Sequence, residues 1–367
     1  MASTRPTYPS ANRFAWITHN KAILVVLAVL VVFPFGVAIL DGQSIGGVLA
    51  NETGNSKFYQ GLLTEIFILA LYALSYDLLL GVTGLLSFGH AMFFAVGAYV
   101  TGIALKSLSW SLLPTLAAVV VAGILQALLF AVVLPRVQGI TFALVTLGMA
   151  SVFHIVIQSH ELGSFTGGDV GLQNIPKPDW LSPADERLRF YFITLAIACV
   201  VYLFYRRFVD SPTGRVCIAI RENEDRARML GFNTFNFKLV ALVTASITAA
   251  LAGTLNALYQ PIVSPNTASM TFTVTALLMI LIGGVGTLSG AVVGAATYKL
   301  LQFYLDRFLG ESSSTVLGII YVAIVLFLPY GIVGTWQLRS VQIKQGWERL
   351  IGLIMGSKQQ LPQRPQK

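Results

Sequence analysis

An all-α, polytopic membrane bundle of about ten spans, with one discontinuous segment and both termini in the cytoplasm, is the fold this sequence predicts. Three observations predict it. Hydrophobic residues make up 55% of the 367 and charged ones 11%, against about 25% charge in a soluble domain. Apolar windows of about 20 residues, the length that crosses a bilayer, recur along the chain. The charges between those windows fall unequally on the two sides.

The windows lie near 22–40, 60–80, 85–105, 112–134, 140–158, 190–208, 239–259, 271–285, 288–305 and 315–335. The first follows a basic start, but it is longer than the apolar region of a signal peptide, and the cleavage-like Val48-Leu49-Ala50 stands too far downstream. It is expected to stay as a span. With the N-terminus inside, Arg5, Arg13, Lys21, Arg136, the seven basic residues between Arg206 and Lys238 and the six beyond Trp336 are cytoplasmic. The outside receives Lys57, Lys106, Lys177, Arg187, Arg189 and Arg307 with nine acids between Asp41 and Glu311, as the positive-inside rule requires. The chain therefore divides into a cytoplasmic segment 1–21, a membrane domain 22–336 and a basic tail 337–367 ending in QQLPQRPQK, which has no core-forming pattern.

Residues 159–189 form the longest outer loop, with three prolines and a Gly-Gly step that favour compact turns. On the inner side, residues 209–237 are too long for a turn and too short for a domain. There Ser211-Pro212 can start one short helix. Asn223 can cap a second through Glu224, Asp225, Arg226 and Ala227, with Met229 and Leu230 offered to a partner and Gly231 as the stop. Acids in its first turn and Arg228 near its end suit the helix dipole. A helix this short needs something to hold it.

Glycines interrupt the apolar sequence twice. In GVTGLLSFGHAMFFAVGAY, Gly84, Ser87, Phe88, Gly89 and His90 mark a discontinuous helix beside a cavity, the competing role being close packing. In GGVGTLSGAVVGA, the series Gly286, Gly290, Gly294 reads as a packing ladder. Ionisable groups inside spans are candidates by default. Glu65 and Lys299, each about 7–11 Å below the outer interface at 1.5 Å per residue, are expected to pair or to end a polar cavity. Asp77 and His154 lie near span ends, where interfacial solvation would serve them.

Several chemistries lack their parts. The basic residues are too scattered to track a phosphate backbone. No Gly-Lys pair completes a nucleotide-binding loop, HExxH and GxSxG do not occur, and Cys199 and Cys217 have neither zinc nor disulfide spacing. No catalytic residue, resident cofactor or metal is expected.

Asp225-Arg226-Ala227, three residues, then Gly231 resembles the E-A-A-x-x-x-G signature of ABC importer permeases, departing from it at Asp225 and Arg226. SPTGRVCIAIRENEDRARMLGFNTFNFKLVAL, GLLSFGHAMFFAVGAY, GITFALVTLGMA, FTGGDVGLQNIP and GGVGTLSGAVVGA together resemble the LivM-type permeases of branched-chain and hydrophobic amino-acid importers over roughly residues 60–335. The resemblance implies a permease subunit in the bacterial inner membrane. Its partners would be a second, homologous permease, two cytoplasmic ATPases that bind ATP and magnesium, and an extracytoplasmic solute-binding protein. Urea and short amides are the alternative solutes, Thr166-Gly167-Gly168 leaning toward amino acids. An autonomous channel or secondary transporter, the alternative of another class, calls for coupling-ion ligands or inverted repeats.

Overall fold

The computed structural model describes residues 21–336 apart from residues 50 and 53. All but the last residue of the segment 1–21, and the tail 337–367, lie outside the described residues. Among the described residues each of the ten apolar windows holds a helix: α1 Lys21–Leu40, α2 Asn55–Asp77, α3 Ala91–Lys106, α4 Leu112–Ala131, α5 Gly139–Gln158 and α6 Arg187–Asp210 come first. After the short helices α7 Pro212–Glu222 and α8 Glu224–Met229 follow α9 Thr234–Tyr259, α10 Met270–Gly283, α11 Leu288–Leu309 and α12 Ser313–Phe327. Six stretches are long and apolar enough to cross a membrane, the last of them, Leu288–Trp336, comprising α11 and α12. Leu24–Leu40, α3 and α10 are shorter apolar helices.

Two helices form the centre. The spanning window of α2 is 83% buried, whereas that of Leu288–Trp336 is 11% buried, so the latter presents apolar surface outward. α2 packs against α1, α6, α9, α10 and α11, and α9 against α2, α3 and α4. Lipid tails are as apolar as a leucine side chain, so association here depends on close fit. The α3–α9 contact supplies it: a Cβ on Gly97 would strike the Ala250 carbonyl, and one on Gly253 the Phe94 carbonyl. Thr101 Oγ1 donates to Thr254 Oγ1 at 2.9 Å across the same seam.

The stretch 159–189 is more ordered than turns alone. Leu172–Gln173 (β1) pairs antiparallel with Ile262–Val263 (β2), Leu172 opposite Val263 and Gln173 opposite Ile262. Leu172, Ile175 and Leu181 are buried with Phe190, Leu258 and Val263. Lys106 Nζ donates to the Gln173 carbonyl at 2.7 Å and Lys177 Nζ to that of Tyr259 at 3.2 Å. Burial pulls the Lys177 ammonium below its ordinary pKa.

Candidate functional site

The loop between α6 and α9 is two short helices held at their ends. The Ser211 hydroxyl accepts the Gly214 N–H at 3.2 Å and Pro212 occupies the first turn of α7, the arrangement in which a missing N–H costs nothing. Cys217 and Ile220 of α7 are buried. Burial pushes the Cys217 thiol up to about 11, so it is protonated and unreactive at neutral pH. Asn223 Oδ1 accepts the Arg226 N–H at 2.8 Å, capping α8. The far end closes with paired backbone bonds, Gly231 N–H to the Arg228 carbonyl at 2.9 Å and Phe232 N–H to that of Ala227 at 3.2 Å. That double bond needs a left-handed residue, and Gly231 has φ +88°.

Six residues cannot sustain a helix in water, and the anchor is Glu224. Its Oε1 accepts from Arg228 Nη2 at 2.8 Å and from Thr234 Oγ1 at 3.0 Å, and its Oε2 from Lys238 Nζ at 2.5 Å. Lys238 stands on α9 and is 5% exposed, so the pair joins the loop to the central bundle. Burial alone would raise the Glu224 pKa, but the bond and charge of Lys238, with Thr234 and Arg228, bring it below the ordinary carboxylate value.

This anchoring sorts the residues of α8. Ala227 is buried and Glu224 turns inward. Asp225 and Arg226 face solvent, while Met229 and Leu230 are 87% and 72% exposed. An apolar tip is thus displayed on a helix whose opposite side is ionically fixed. A cavity of about 240 Å³, lined by Leu134, Pro135, Arg228, Phe232 and Phe235 among others, lies beside it.

The first glycine break begins as a π-turn, Leu78–Val82, and runs to His90 before α3 starts. The α3 terminus is satisfied from α10, where Thr273 Oγ1 accepts the Ala91 N–H at 2.9 Å. Ser87 and His90 are fully buried. His90 Nε2 lies 2.8 Å from Ser75 Oγ, and its ring is enclosed by Tyr72, Tyr76 and Phe93. Gly89 has no space for a side chain, because a Cβ would strike the Thr146 carbonyl. Of the five residues singled out here, Gly84 is exposed and Phe88 partly so. Gly84 helps line a cavity of about 80 Å³ with Arg221, Glu224 and Lys238.

Glu65 and Lys299 are brought together, Oε2 to Nζ at 2.6 Å, between α2 and α11. The expectation for Asp77 is corrected: it is fully buried, not solvated at an interface. The reason is the second break, between α10 and α11, which folds over it so that the Gly286 N–H donates to Asp77 Oδ1 at 2.7 Å. Gly286 is accordingly not a rung of a helical ladder. It has φ +78° and precedes α11, leaving Gly290 and Gly294 to pack against the carbonyls of Gly283 and Met279 on α10. His154 Nδ1 lies 3.1 Å from the Pro265 carbonyl; a carbonyl only accepts, so that nitrogen carries the hydrogen.

Arg221, Thr234 and Lys238 contribute individually to this arrangement. The 224–228 spacing of opposite charges was a usable signal, but nothing local marks Lys238 as buried or Arg221 as a long-range donor. Among the described residues, no group of three or more His, Cys, Asp and Glu could hold a metal ion.

The family model described as branched-chain amino acid transport system / permease component matches residues 58–328. The chain is 28% identical over 300 residues to the high-affinity branched-chain amino acid transport system permease protein LivM of Escherichia coli strain K12, covering 74% of this chain and 68% of that protein. It is 33% identical over 140 residues to a probable LivM permease of Methanocaldococcus jannaschii, 37% of this chain and 41% of the other. It is 22% identical over 292 residues to LivH of Salmonella typhimurium, 74% and 93%. No solved structure matches significantly. The match spans both glycine breaks and the charged loop between them: the chain belongs to the branched-chain amino acid transport permease family.

Proposed function

We propose that this chain is the membrane-spanning permease subunit of an ATP-driven ABC importer for branched-chain or other neutral hydrophobic amino acids in the bacterial inner membrane. The observation that carries the reading is α8: an apolar tip, Met229 and Leu230, displayed outward on a helix tied through Glu224 to Lys238 of the central helix α9. Isolated exposed apolar residues are ordinary. Here the opposite side of the same helix is clamped by charge, so a force on the tip is carried to the bundle. In this reading two cytoplasmic ATPases hold ATP and magnesium, a second homologous permease completes the pathway, and an extracytoplasmic binding protein delivers solute. Asn223–Gly231 is the docking segment, and Gly84 and Phe88 are the members of the first break open to the pathway. Both termini and the Glu224 side of the loop are cytoplasmic.

The assembly is tested by purifying the complex through a tag on this chain and identifying its subunits by mass spectrometry. Reconstituted vesicles loaded with ATP then report uptake of leucine against urea. Leucine uptake that requires ATP supports the reading. Transport without co-purifying ATPases favours an autonomous carrier, and urea uptake in preference to leucine reassigns the solute.

A further inference from the structure

The two glycine breaks meet at one side chain of the cytoplasmic loop. Each break holds a left-handed glycine, Gly84 at φ +77° and Gly286 at φ +78°. Both are pressed against Arg221. A Cβ on Gly84 would lie 3.0 Å from Arg221 Cγ and 3.1 Å from its Cα, and one on Gly286 would lie 2.7 Å from Arg221 Nη1. Arg221 Nη1 donates to the Gly81 carbonyl. The π-turn makes that acceptor available, because the Leu85 N–H that an α-helix would send to it bonds Leu79 instead, at 2.8 Å.

Asp77 completes the group. One carboxylate oxygen holds the Gly286 N–H at 2.7 Å, and the other is buried with no hydrogen-bond partner in the structure. A buried carboxylate oxygen left bare is costly, and the Arg221 guanidinium, on the Gly81 carbonyl and against Gly286, has five N–H donors. α7, which carries Arg221, runs into α8 across Asn223 alone, so Arg221 lies two residues from the joint at which α8 would move.

We propose that Arg221 and Asp77 are positioning residues forming a latch, through which displacement of α8 is transmitted at once to the break in α2–α3 and to the break between α10 and α11. Arg221 rests on the Gly81 carbonyl in the state described here. The free oxygen of Asp77 is its second seat when the loop moves. The proposal rests on the permease reading above.

The test uses the assembled importer purified through a tag on this chain, reconstituted in vesicles, with solute uptake and ATP hydrolysis measured together. Arg221→Gln and Asp77→Ala are expected to lower solute moved per ATP about tenfold with the subunits still associated. Arg221→Lys and Asp77→Asn, which keep a donor and an acceptor, should recover part of it. Hydrogen exchange gives an arm independent of transport: in Arg221→Gln, amides of both 80–86 and 283–288 should exchange faster, several-fold. Faster exchange in the first segment alone overturns the latch, as does normal uptake per ATP in Arg221→Gln. If Asp77→Ala does not assemble, Arg221→Gln decides by the same two measurements. A wild-type complex that does not couple ATP to uptake overturns the permease reading, while the exchange arm still judges the latch.

Discussion

The loop between α6 and α9, the inner loop of the proposed topology, and the loop between α5 and α6, its outer counterpart, are of similar length and are held by opposite means. The outer loop is fixed along its length by β1–β2 pairing, lysine-to-carbonyl bonds and buried apolar side chains. The inner loop is fixed mainly by side chains clustered on Glu224, and its tip is left in solvent. Backbone pairing resists displacement at every residue it includes. A charge cluster at one end holds position while leaving the other end free to meet a partner. The outer loop is thus fixed along its length and the inner loop at one end.

That contrast can be broken at the outer loop first. Gly171 has φ +84°, and a side chain there would strike the Val263 carbonyl at the start of the strand pair. Gly171→Val should destabilise the purified protein by roughly 3 kcal/mol or more, combining left-handed strain with overpacking, read as a lowered thermal midpoint in detergent. At the inner loop, Lys238→Met leaves Glu224 with only its weaker partners, and about 1–2 kcal/mol should be lost in the same assay, less than for a fully buried pair. A midpoint loss as large as that of Gly171→Val would mean that the inner loop is structural throughout.

Gly231 is surrounded by open space, so Gly231→Val meets only backbone strain, about 1–2 kcal/mol and confined to the loop. Uptake is expected to fall far more than protein level, and normal ATP-driven uptake would remove α8 from coupling. Smaller still is the pair between α2 and α11. With both side chains about a quarter exposed, a double-mutant cycle of Glu65→Gln and Lys299→Met should show a coupling of about 0.5–1 kcal/mol; strict additivity would sink the pair. The smallest effect is pH-dependent. Because the folded Glu224 pKa is depressed, its contribution is present above the ordinary carboxylate value of about 4.3 and lost as pH falls through the lower folded value. Unfolding scans between neutral and acid pH should therefore have a shallower slope in Glu224→Gln than in wild type.

The spans were legible in the sequence because a bilayer demands apolar length, and α8 was legible because Asn223 and Gly231 carry cap chemistry in their own side chains or lack of one. Asp77 was misread for a definable reason: depth counted along one helix takes no account of another segment folding over its end. Gly286 was misread likewise, since a four-residue glycine spacing is the same in a helix as in a turn followed by a helix. The strand pair joins residues about ninety positions apart, and neither two-residue partner has a period to detect. Arg221 looked like any solvated arginine of a basic loop.

The π-turn at Leu78–Val82 has a consequence for chain length. A widened turn holds one more residue than the α-helical turn it replaces, and each residue of an α-helix turns the chain by about 100°. Deleting one residue of this stretch other than Gly81 would return it to the α-helical count, yet everything from Thr83 onward would be re-aimed and Gly81 would face a different neighbour. Local structure would thus tolerate a shortening that the arrangement around Asp77 would not. The extra residue is a spacer whose value lies in direction rather than in stability.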